Sequence, residues 1–175
     1  MDQKSIQNIR KRIQSIKKCF DEIDEEEVEI GFEPVKDFED KSNYPIDFQI
    51  FMEEFGEMLI KRPEWDSLVL NLEKPKPLVG LSDLYSWESW IVVLADWAHD
   101  DDFCDCKAQD VKIIANDVES MLYGFDTSKP PYRFLDHNAG VERNFLDWFV
   151  RFINIDVLDN ENLFSKTGIK LQHLK

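Results

Sequence analysis

Between His99 and Cys106 the chain reads "HDDDFCDC", which gathers an imidazole, two thiols and four carboxylates within eight positions. These are the groups of metal centres and of thiol nucleophiles, and each chemistry imposes its own spacing. A structural zinc site draws Cys and His ligands into a tetrahedron, ordinarily from two pairs such as C-x2-C. Here Cys104 and Cys106 form a single C-x-C beside His99, with no second pair in the chain. A calcium loop requires acids at alternating positions, a glycine at its bend and a distant bidentate Glu. The run "DDDFCDCKAQD" has neither the glycine nor the spacing. A cysteine nucleophile requires a base and a lowered pKa, which His99 could supply to Cys104 or Cys106. Phe103, Cys104 and Cys106 fit equally well as one short strand with its thiols packed inward, because free Cys is among the most buried residue types. The stronger expectation is a strand next to an acidic loop. Asp100, Asp101, Asp102 and Asp105 are then candidates for contact with a basic partner, with Trp97 as an aromatic anchor.

The other chemical signals are thinner. His137 in "LDHN" has Asp136 beside it, but no G-x-S-x-G elbow supplies the serine of a triad, so a turn histidine is expected. There is no G-x-G-x-x-G and no P-loop, and six glycines in the whole chain leave little from which to build a phosphate cradle. The sequence therefore predicts a protein that is not an enzyme, with no cofactor and no bound metal.

The elements that would position these residues follow from periodicity. Ile6, Ile9, Ile13, Ile16 and Phe20 recur at spacings of three and four, which predicts a helix with one apolar stripe packed on the domain. The next segment, "DEIDEEEVEIGFE", holds eight acids and no base. It reads as an exposed loop or the edge of a strand, because Val28, Ile30 and Phe32 alternate. Pro45 suits a first helical position, Phe48, Phe51, Met52 and Phe55 share a face, and Gly56 stands where a helix ends. Extended structure is expected from Met58, followed by a loop-rich middle around Pro63, Pro75 and Pro77. "WIVVLA", "VKIIA", "SMLYGF" and "YRFLD" then read as consecutive antiparallel strands, the last two joined by a turn stiffened by Pro130 and Pro131. In "ERNFLDWFVRFI" the residues Phe145, Trp148, Phe149 and Phe152 form a wide aromatic stripe that must cover a face of the sheet. The tail from Asn154 reads as a short helix with a frayed end.

Composition bounds the function classes. A chain of 175 residues with 43% hydrophobic and 13% aromatic residues is expected to fold as one domain without disulfide or metal staples. Three Cys make no even disulfide framework, the first eighteen residues contain no apolar signal-peptide core, and the longest apolar run is Trp90 to Ala95. These features point to the cytoplasm and away from a membrane. Thirty-six acidic against twenty-one basic residues give a net charge of −15. Such a charge repels nucleic acid and anionic lipid and attracts basic protein surfaces.

Two segments carry a family resemblance. "YPIDFQIFMEEFG", with Pro45, Asp47, Phe48, Phe51, Phe55 and Gly56, resembles the helix near the start of SUKH superfamily domains. "YGFDTSKPPYRFLDHN" followed by "NFLDWFVRFI" is similar to the closing hairpin and C-terminal helix of the same superfamily, in the same order. Together they cover roughly Asn43 to Ile153. The glycine-rich loop often found after the first helix is reduced here to Gly56, and "HDDDFCDC" replaces a more usual mixture of Gly and Asp. The resemblance implies a single α+β domain over 1–175, with a mainly antiparallel central sheet flanked by helices. In it, 1–22 would be an N-terminal helix, 43–153 the core and 154–175 a C-terminal extension. It further implies a cytoplasmic immunity protein that binds and neutralises a polymorphic toxin, such as a basic nuclease. The alternative, from other members of the superfamily, is a non-catalytic regulatory scaffold.

Overall fold

The computed structural model describes residues 3–23, 28–63, 67–77, 108–117, 122–136 and 144–154. The first helix, α1 (Gln3–Phe20), forms on the predicted stripe. Ile13 and Ile16 are fully buried and Phe20 nearly so, while Ile6 and Ile9 are partly covered at the rim. Lys17 and Lys18 occupy its last turn, where the helix dipole favours positive charge. The acidic segment continues into an edge strand, β1 (Glu29–Glu33), which is mostly exposed.

The helix α2 (Ile46–Glu54) opens with the Pro45 carbonyl accepting from the Gln49 N–H at 3.0 Å. It closes at Gly56, whose φ of 72° is the left-handed conformation that ends helices. A Cβ at this position would run into the Glu33 backbone, so the same glycine also seats the end of β1. The strands β2 (Glu57–Arg62), β3 (Ser67–Pro77), β4 (Val111–Asp117), β5 (Leu122–Asp126) and β6 (Arg133–Asp136) follow, and α3 (Phe145–Phe152) completes the set. All six strands lie in one sheet in chain order, each antiparallel to its neighbours. The fold is mixed α+β with an antiparallel meander, as expected from the sequence. Among the described residues no helix is long and apolar enough to cross a membrane.

One expectation is corrected. The stretch around Pro75 and Pro77 is not loop: β3 runs for eleven residues and contains both prolines. Its register against β4 shifts between Leu72 and Lys76, so Pro75 falls in a bulge, where a missing N–H breaks no ladder bond. Pro77 ends the strand.

The two faces of the sheet differ. Ile60, Leu70, Leu72, Ala115, Tyr123, Phe125 and Phe134 look into the main core, which α2 and α3 fill from above. Phe48 of α2 meets Phe125 at 4.8 Å between ring centres, and Trp148 of α3 meets Tyr123 at 4.6 Å. Most of these ring pairs are tilted or edge-on, the orientations favoured by the ring quadrupole. The aromatic stripe of α3 thus finds the sheet face it requires. The helix α1 packs on α2, where Arg10 bridges Glu53 and Glu54 at 3.0 Å and Lys17 reaches Glu54. On the opposite face, Val111, Ile113, Leu122 and Leu135 are buried over β4 to β6. Over β1 to β3 that face is left open by the described residues.

Candidate interaction surface

Trp97, Asp100, Asp101, Asp102 and Asp105 lie outside the described residues, as do His99, Cys104, Cys106, His137, the "WIVVLA" segment and the tail from 155. Cys19, in the last turn of α1, is buried in the core. Among the described residues no group of three or more His, Cys, Asp or Glu side chains is arranged to hold a metal ion.

Polar side chains buried in the described structure serve the fold. The Asp47 carboxylate of α2 accepts from the Leu146 N–H at 3.0 Å, satisfying one of the orphan donors at the start of α3. Asn144 caps the same end, its Oδ1 accepting from the Asp147 N–H at 2.8 Å. Burial pushes the Asp47 carboxyl above its usual range, and the backbone N–H bonds recover only part of that shift. Tyr123 donates to Asp117 at 2.7 Å across adjacent strands. Tyr132, whose N–H donates to the Asn43 carbonyl at 2.8 Å, fastens the β5–β6 turn to the start of α2 beside Tyr44. Burial also holds the Tyr44 hydroxyl well above its ordinary pKa. These groups brace elements against one another, and no nucleophile stands beside a base among them.

The open half of the outer sheet face is built differently. Side chains on alternate strand positions face outward, so cross-strand register defines rows. Gly31 pairs with Leu59 and Leu59 with Asn71, which makes one row; Glu33 pairs with Glu57, and one step beyond the Met58–Leu72 pair Glu57 comes opposite Glu73, which makes a second. Between the rows lies an open depression of ≈ 350 Å³ whose charged lining among the described residues, Glu33, Glu57 and Glu73, is acidic. Leu59 is 39% exposed in its floor, and nothing stands within 4 Å of the position that a Gly31 side chain would take.

The three carboxylates are not equivalent. Glu73 is held by Lys76 at 2.7 Å, and Glu57 Oε1 accepts from the Lys74 N–H, a donor freed by the β3 bulge, at 3.2 Å. Glu33 is exposed and has no ion-pair partner among the described residues. Its direct cross-strand neighbour is another acid, an arrangement that costs rather than adds stability. An acidic rim around an exposed leucine is suited to binding a basic, partly apolar protein surface.

Sequence reasoning did not single out this surface. Its only sequence signal is the complement of a pattern that is visible: if Val28, Ile30 and Phe32 turn one way, Glu29, Gly31 and Glu33 turn the other. No protein-family model matches this chain, and no curated protein or solved structure shows significant similarity to it.

Proposed function

We propose that this chain is a non-catalytic binding protein of the cytoplasm that captures and neutralises a basic protein toxin, in the manner of SUKH-type immunity proteins. The observation that carries this reading is the open, acid-rimmed depression over β1 to β3 in a chain of net charge −15. A toxin that acts on nucleic acid must present a basic groove to hold its substrate. An acidic inhibitor is steered onto such a groove and competes for the same charges. The antiparallel meander, the helix ending at Gly56 and the aromatic α3 closing over the last hairpin are all compatible with the resemblance in the sequence.

Co-purification and growth assays with the toxin domain encoded by the neighbouring gene test the proposal. The expected result is a stable complex and growth restored when the chain is co-expressed with the toxin. A neighbouring toxin domain that is neither bound nor neutralised would overturn it and leave the regulatory-scaffold reading in its place.

A further inference from the structure

We propose that the depression over Gly31 and Leu59 seats a basic segment of the partner. In this arrangement one apolar side chain drops between the two cross-strand rows, and flanking lysine or arginine residues meet Glu33 and Glu57. The inference rests on the reading that the partner is a basic protein, and it assigns where and by what chemistry that protein is held.

Three features of the surface converge. Glycine in the interior of a strand weakens it and often marks a place where another chain approaches closely. Gly31 has no positive φ, and among the described residues nothing lies within 4 Å of where its Cβ would stand, so no contact with them demands glycine there. Beside the gap Leu59 presents apolar surface that α1, α2 and α3 cannot cover, because it points away from the main core. At the end of the gap Glu33 and Glu57 face each other, and among the described residues Glu73 has an ion-pair partner, Lys76, while Glu33 and Glu57 have none. A basic side chain between Glu33 and Glu57 would remove their repulsion, whereas a phosphate, a nucleic acid or an anionic lipid would add to it. The site therefore favours a cationic segment with an apolar centre.

Amide chemical shifts of the full chain provide the test, with three synthetic pentapeptides as probes: Lys-Lys-Leu-Lys-Lys, Lys-Lys-Ser-Lys-Lys and Glu-Glu-Leu-Glu-Glu. The first is expected to shift the amides of Gly31, Glu33, Leu59 and Asn71 in a saturable manner. The serine peptide should bind roughly tenfold more weakly, and the acidic one should leave these amides unmoved. Gly31→Trp fills the gap into open space and should leave the melting temperature unchanged while abolishing peptide binding. Glu33→Lys, at an exposed position, supplies the same loss if the tryptophan variant does not fold. Shifts spread evenly over the molecule, or binding unaltered in the folded variants, would overturn the assignment. A toxin that is still neutralised by folded Gly31→Trp and Glu33→Lys would refute this seat while leaving the immunity reading standing. Peptide binding at Gly31 in a chain that binds no neighbouring toxin would refute that reading and leave the seat standing.

Discussion

Asp47 is a carboxylate whose value to the fold lies in accepting hydrogen bonds rather than in its charge. Burial penalises its ionised form more than the Leu146 N–H and its other backbone donors repay, so its folded pKa lies above the ordinary value of 3.8. At a pH below that value both folded and unfolded chains hold the proton. As pH rises from there, the unfolded chain releases its proton first, and the folded state loses stability until its own raised pKa has been passed. The stability of the wild type minus that of Asp47→Asn, measured by urea unfolding, should therefore fall as pH rises through and above the ordinary carboxylate value of 3.8. A difference that grows with pH would mean that the charge itself stabilises α3. Asp47→Ala, which leaves the Leu146 N–H buried without an acceptor, should cost about 1–3 kcal/mol at low pH, where Asp47 is protonated in both states, and less as pH rises. Glu53 behaves in the opposite sense. Burial raises its carboxyl, but hydrogen bonds and charge from Lys41 and Arg10 override burial and hold it below the usual range.

At the scale of elements, α1 is fixed by two devices of unequal strength. Its charges reach Glu53, Glu54 and Asp147 from positions that are a quarter to two-fifths exposed, where solvent weakens ion pairs. Its apolar stripe is fully buried at Ile13 and Ile16. Ile13→Ala is expected to cost about 2–5 kcal/mol in urea unfolding, and Arg10→Ala less than about 1 kcal/mol. Equal losses would show that charge, not burial, holds the helix. The same contrast explains what was legible in the sequence. The helices α1, α2 and α3 announce themselves because each buries one face, and burial leaves a period that can be read residue by residue; the strands β4 to β6, buried on both faces, show instead as short runs of β-branched and aromatic residues between turns. The strand β3 was hidden because prolines at 75 and 77 argue against a ladder, and only the register shift shows where the chain accommodates Pro75. The surface over Gly31 was hidden for a related reason. Its two rows join β1, β2 and β3, so the placing of Glu33 against Glu57 is a property of strand pairing that no single segment carries.

At the scale of the whole molecule, a net charge of −15 acts on a basic partner before any contact forms. Steering sums over the charge distribution, so the Asp100, Asp101, Asp102 and Asp105 run and the Glu33–Glu57 pair both contribute to it wherever the partner finally docks. Dissociation is a different matter, because only charges in contact with the partner are lost from the bound state. Reversing the aspartates to lysine should slow association with the toxin domain and flatten its dependence on salt, since exposed charges are screened beyond about 8 Å at physiological ionic strength. Glu33→Lys removes a smaller share of the total charge and should slow association less. Because Glu33 lies in the proposed seat, it should also speed dissociation, which the aspartate reversals leave unchanged. Stopped-flow association and surface-based dissociation rates for the two variants separate these effects. Faster dissociation on reversal of the aspartates, with none for Glu33→Lys, would move the contact surface to the 100–105 run and reduce the acidic sheet face to a contributor to long-range attraction.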